Sequence, residues 1–112
     1  RSYMKLFKNN RKFLVSKKIT LTDRGRISLL NNEQFSIVIG NKKNDITKKK
    51  WGFYLTNSCN SSLKNKGLKT AIIKGKKNKR IFVCLVDKRK IKIFKDYLKH
   101  EQLVLKKWLD SY

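Results

Sequence analysis

Three runs of cationic side chains hold the residue types most able to do chemistry in this chain. They are Lys42, Lys43, Lys48, Lys49 and Lys50; then Lys74, Lys76, Lys77, Lys79 and Arg80; then Lys88, Arg89 and Lys90, continuing to Lys95. Without a base or acid placed beside them, ammonium and guanidinium groups do one thing well, which is to bind phosphate. Arg11 and Lys12 belong to the same class near the start of the chain. Carried on loops of a β scaffold, such groups reach phosphates on several sides, as a small domain seated in folded RNA must. Tyr54 follows the Lys48–Lys50 run in Trp51-Gly52-Phe53-Tyr54. Strand alternation sets Tyr54 opposite the core-facing pair Trp51 and Phe53, where its ring can stack on an unpaired base.

Acid–base chemistry would need His100, the only histidine, with Glu101 beside it. Adjacent helical residues point about 100° apart, so this pair does not converge on one substrate without help from Lys95 or Lys99. Nothing matching GxSxG, HExxH, DxD or a Cys/His cluster occurs, and Cys59 and Cys84 stand far apart outside any CxxC. No catalytic set, metal site or cofactor is expected, and no small-molecule substrate is evident. Two lone cysteines in a lysine-rich chain read as reduced and intracellular. The segment Thr56-Asn57-Ser58-Cys59-Asn60-Ser61-Ser62 is rich in capping residues and is read as the start of a short helix, whose free amides could also hold an anion.

The balance of charge weighs these possibilities. Thirty Lys and Arg stand against seven Asp and Glu, a formal charge of +23 on 112 residues. Twenty-four of the cations are lysine, and the chain is rich in Asn and Ile with one Ala and no Pro, the signature of an AT-rich coding sequence. That bias explains Lys in place of Arg. It does not explain the scarcity of acids, because their codons tolerate AT pressure. A compact chain of this charge repels itself, so a polyanion is expected as partner. The 39% apolar content, with two Trp, four Tyr and six Phe, is that of a folded domain and not of a basic tail.

The elements that position these groups are read as one α+β domain over residues 1–112, with residues 1–10 as an irregular basic arm. Lys12–Val15, Lys18–Leu21, Arg26–Leu30 and Phe35–Ile39 are expected strands of a small, mostly antiparallel sheet or partial barrel, with Thr22-Asp23-Arg24-Gly25 as a turn. Residues 40–50 are expected to form a lysine-bearing loop, followed by a strand at Trp51–Leu55. A short helix in the middle is expected to stop at Gly67. Leu68–Lys74 and Arg80–Val86 then read as a hairpin with its tip at Gly75-Lys76-Lys77-Asn78-Lys79, Ile81–Val86 being central and covered on both faces. The cover is a longer C-terminal helix from about Lys90 to Leu109, marked by Ile91, Phe94, Leu98, Leu105 and Trp108 and interrupted at Lys99–Gln102.

No run approaches the roughly 18 to 20 apolar residues of a membrane span, and no membrane insertion is expected. The reading these features favour is a non-catalytic structural RNA-binding protein, foremost a subunit of a ribosome, that neutralises and wedges between rRNA segments beside neighbouring proteins of the particle. An organellar or AT-rich bacterial origin suits the composition and a start at Arg1 in place of Met, and the expected place is a lineage-specific ribosome, mitochondrial before cytoplasmic. The alternative is a small basic ribonuclease or nuclease toxin using His100 and Glu101. A third class, a DNA- or lipid-binding module, rests on the basic C-terminal helix, whose apolar stripe is already needed to cover the sheet.

Overall fold

The computed structural model describes residues 5–59 and 67–110. Its strands are β1 (Lys5–Leu14), β2 (Thr20–Ser28), β3 (Gln34–Ile39), β4 (Lys42–Lys49), β5 (Gly52–Leu55), β6 (Leu68–Gly75), β7 (Ile81–Asp87) and β8 (Leu103–Trp108). A 3-10 turn at Lys88–Lys90 leads into the α-helix α1 (Ile91–His100). Strands take 59% of the described residues and helical turns 13%, so the fold is mostly β and the expected α+β balance is corrected. The strands form three antiparallel sheets, β1-β2, β3-β4-β5 and β7-β6-β8.

The ribbon β1-β2 begins where an irregular arm was expected, since Lys5 pairs with Ser28 and Leu14 with Thr20. Thr22–Gly25, expected as a turn, lies inside β2. The register shifts between Lys8 and Arg11, and this bulge absorbs the turn-forming residues without ending the strand. Gly25 makes the bulge possible. Its φ is +122°, and a Cβ there would meet the Phe7 carbonyl oxygen at 1.8 Å.

In the second sheet the two-residue connection Gly40-Asn41 joins Ile39 to Lys42, with Gly40 at φ +57°. The chain then re-enters the sheet at once, so residues 42–49 form the central strand β4 and not the expected loop. A strand with five polar residues in its first six positions escapes sequence reading because its alternation is between kinds of polar residue. Lys42, Asn44, Ile46 and Lys48 share the face of Phe35, Ile37 and Ile39, while Lys43, Asp45 and Thr47 share the other.

The third sheet holds the core. β6 is its central strand, with Leu68, Thr70, Ala71, Ile73 and Gly75 buried. Ala71 and Ile73 pack with Leu98 of α1, and Cys84, Phe94, Leu103, Leu105 and Trp108 surround them. Burial raises the pKa of the Cys84 thiol; Cys59 and Cys84 are both unpaired. On the opposite face, Leu68 and Leu85 border an apolar cleft shared with Ile37, Ile39, Ile46 and Leu55 of the second sheet. β6 is therefore covered from both sides, and β7, expected to be central, is an edge strand with Ile81, Phe82 and Val83 exposed.

The C-terminal helix is shorter than expected. It stops at His100, where Glu101 N–H donates to the Tyr97 carbonyl, and Gln102 turns the chain at φ +56°. Leu103, Leu105 and Trp108 then continue as β8, paired with β6. Apolar residues at 103, 105 and 108 fit a strand with a bulge as well as a helical stripe, and the break at Lys99–Gln102 marked the change. Residues 60–66, where the short middle helix was expected, lie outside the described residues. Among the described residues α1 is the only α-helix.

The whole is open. Its accessible surface is 8843 Å², where a compact monomer of 13.3 kDa exposes about 6,500 Å². The radius of gyration is 15.8 Å against about 13 Å for a compact domain of this length.

Candidate nucleic-acid interface

The tip of the β6-β7 hairpin is the densest cationic site. Gly75 N–H donates to the Arg80 carbonyl at 2.9 Å, and the Asn78 side chain accepts from Arg80 N–H at 2.9 Å. These bonds pin the four-residue turn, so Lys76, Lys77, Lys79 and Arg80 project from a fixed end and are all exposed. A cleft beside them is lined by Lys74, Lys76, Lys79, Val104 and Lys106. Lys106 was missed as a member of this group. Read on a helix it belonged elsewhere; on β8 it stands beside the tip, because Gly75 pairs with Leu103 and Lys76 N–H reaches the Gln102 carbonyl at 3.0 Å.

The β4-β5 turn brings a second group together. Lys50 and Trp51 form the connection, both exposed, with Lys49 pairing Gly52. Trp51 is 72% exposed and its ring centroid lies 5.9 Å from that of Tyr54, which remains on the outer face. Trp51 therefore joins Tyr54 on the accessible side instead of the core side assigned to it, because it sits in the turn, where strand alternation does not apply. Phe53 keeps its inner-face position yet is 69% exposed at the end of the sheet.

Lys42 and Lys43 each lie beside an acid. Lys42 points inward, its Nζ 3.7 Å from Oδ2 of the buried Asp87, and Lys43 Nζ lies 3.6 Å from Asp45 Oδ1. Ser36 Oγ also donates to Asp45 at 2.5 Å. Lys48 Nζ donates to the neighbouring Lys49 carbonyl, and Lys49 Nζ to Asn32 Oδ1. Asp87 further accepts from Arg89 N–H at 2.9 Å and lies 3.5 Å from the Arg89 guanidinium. The bond from Arg89 N–H, with Arg89 and Lys42 nearby, holds the Asp87 carboxyl below its ordinary pKa against the opposing effect of burial. Asp87 thus caps the 3-10 turn and ties the second sheet to the third, leaving Lys88 and Lys90 exposed at the mouth of α1.

Arg11 and Lys12 lie on β1. Arg11 pairs with Asp23 at 3.5 Å and covers the Phe13 ring at 5.1 Å; Lys12 is exposed opposite Thr22. The expected site residues therefore sit on different elements: β1, β4 and its turn to β5, the β6-β7 hairpin and the start of α1. His100 and Glu101 end α1, where the imidazole Nδ1 is 2.7 Å from the Asp96 carbonyl oxygen, a helix-terminal contact. Thr56–Cys59, the first part of the proposed anion site, is irregular backbone, and the rest lies outside the described residues.

No group of three metal-ligating side chains occurs among the described residues, and none of their helices is long and apolar enough to cross a membrane. Comparison with family profiles, with curated proteins and with solved structures finds no match.

Proposed function

We propose that the chain is a structural, non-catalytic RNA-binding subunit of a ribonucleoprotein particle, foremost a ribosome, where it fills space between RNA segments and neutralises their phosphates. The observation that carries the reading is the conjunction of surplus surface with surplus charge. Roughly a third more area is exposed than a compact monomer needs, and cations occupy it at the hairpin tip, the β4-β5 turn, the start of α1 and the β1-β2 ribbon. Exposed apolar residues such as Val38, Trp51, Phe53 and Val83 suit burial against RNA and neighbouring proteins in such a particle.

The test is co-sedimentation of the tagged chain with ribosomal particles and its release by ribonuclease or high salt. With purified RNA, contact with roughly 6 to 10 phosphates makes affinity fall about 10³- to 10⁵-fold between 50 and 200 mM salt. A flat salt response, or a chain that stays off all RNA-containing particles, overturns the proposal. RNA cleavage that disappears in His100→Ala would put the nuclease reading in its place.

A further inference from the structure

The β1-β2 ribbon has two unlike sides. Alternation along β2 puts Thr20, Thr22, Arg24, Arg26 and Ser28 on one face, and the register adds Lys5, Phe7, Lys12 and Leu14. That face carries four cations, three hydroxyls and no acid. The other carries Leu6, Lys8, Arg11, Phe13, Leu21, Asp23 and Ile27, with Arg11 paired to Asp23 at 3.5 Å. Ile27 at its end borders a cleft with Leu29, Phe35, Ile37 and Phe53, so this side leans on the second sheet. Leu6, Phe13 and Leu21 of this side are exposed, as is Phe7 of the basic face.

Arginine is concentrated here. Residues 5–28 hold three Arg and five Lys, whereas residues 29–112 hold two Arg and nineteen Lys. Against a background that writes lysine, guanidinium stands here, and its planar group can stack as ammonium cannot. Arg26 lies over the Phe7 ring at 5.0 Å, its cross-strand partner. Beside this pair the bulge opens a cleft of about 320 Å³ lined by Phe7, Lys8, Asn9, Asp23, Gly25 and Arg26. That volume is at the lower end of ligand sites. Asp23 also borders it, with its carboxylate engaged by Gly25 N–H at 2.9 Å, Asn9 Nδ2 at 3.3 Å and Arg11.

We infer that the bulge cleft of the β1-β2 ribbon receives an unpaired nucleotide of the bound RNA, its base stacked on the Phe7–Arg26 pair and its flanking phosphates met by Arg24 and Lys5. This rests on the RNA-binding reading above and adds a distinction within it. The hairpin tip meets phosphates, while the ribbon takes a base. Stacking on aromatic rings and guanidinium planes is how single-stranded RNA is gripped, and a bulge is a common place for a strand to present such a site.

The test uses the full chain, an RNA hairpin carrying 2-aminopurine in its unpaired loop, and a blunt RNA duplex of equal length. Phe7→Leu and Arg26→Lys keep strand propensity and charge. Each is expected to weaken looped-RNA binding about tenfold, abolish the fluorescence quenching seen with the wild type, and leave duplex affinity and salt slope unchanged. Hydrogen exchange of the β1 amides identifies which variant keeps the ribbon paired, and that variant decides. Looped-RNA affinity and quenching equal to wild type overturn the inference alone. A wild-type chain that binds neither RNA overturns it together with the proposed function.

Discussion

The β1-β2 ribbon and the β7-β6-β8 sheet are built from the same antiparallel pairing in strands of similar length, yet their surroundings differ completely. In the sheet, β6 is covered by α1 on one face and by the second sheet on the other, and each of its residues is buried or half-buried. Every residue of β1 is exposed. Backbone hydrogen bonds alone contribute little net stability, because water offers the same bonds to the unfolded chain. The sheet is held by burial of Leu68, Ala71, Ile73, Val86 and Leu98. The ribbon is held by its pairing, by exposed polar and ring–guanidinium contacts between its own two strands, and by the approach of Ile27 to the second sheet. One region thus carries the fold, and the other is presented by it.

Shortening one side chain in each region separates the two most sharply. Ile73→Ala removes a side chain 3% exposed and is expected to cost about 2 to 5 kcal/mol in urea denaturation. Leu14→Ala, at a position 71% exposed, should change stability by less than about 0.5 kcal/mol. Equal effects would mean that the ribbon is part of the core.

Next in size is Gly25→Ala. The left-handed φ and the Phe7 carbonyl in the way of a Cβ together cost about 1 to 3 kcal/mol. The loss should be confined to the ribbon. Hydrogen exchange of β1 and β2 amides should accelerate while that of β6 is unchanged.

Neutralising Lys76, Lys77, Lys79 and Arg80 together should lower RNA affinity and reduce the salt slope by about one for each phosphate that is no longer bound. The urea midpoint should stay in place, because the turn is held by Gly75, Asn78 and backbone bonds and not by these charges.

The smallest effect concerns two aspartates. Asp23 is held below its ordinary pKa by the bond from Gly25 N–H, with Arg11 and Asn9 adding to it, and Asp87 by the bond from Arg89 N–H. A depressed folded pKa means that the contribution is complete above the unfolded value of about 3.9 and is lost as pH falls through the folded value. Asp87→Asn should therefore flatten the fall in thermal midpoint between pH 7 and pH 3. Asp23→Asn should barely alter it, because the ribbon it serves does not carry the global transition.

These differences also explain what could be read from the residues. The β6-β7 hairpin was legible, tip included, because apolar strands flank a Gly-Lys-Lys-Asn-Lys turn. β3 and β5 were legible for the same reason. β4 was not, since Lys42, Lys43, Asn44 and Asp45 look like a loop until Asp87, far along the chain, supplies the partner that lets Lys42 point inward. β8 was hidden because Leu103, Leu105 and Trp108 satisfy two periodicities. Of the candidate site, the exposure of the tip and the outer-face place of Tyr54 could be read from local pattern, but the places of Lys106 and Trp51 depended on a strand and a turn that local pattern does not specify.

Among the described residues, β3 and β7 each pair on one side only, and their open edges carry Ile37, Val38 and Ile39 and Ile81, Phe82 and Val83. Such edges invite a second copy to add itself strand to strand. What holds free copies apart is their shared charge, whose reach shrinks from about 10 Å at 0.1 M salt to about 3 Å at 1 M. Handling the isolated chain therefore sets two demands against each other: an ionic strength high enough to release a polyanion is also one that shortens the reach of the charge keeping these edges apart.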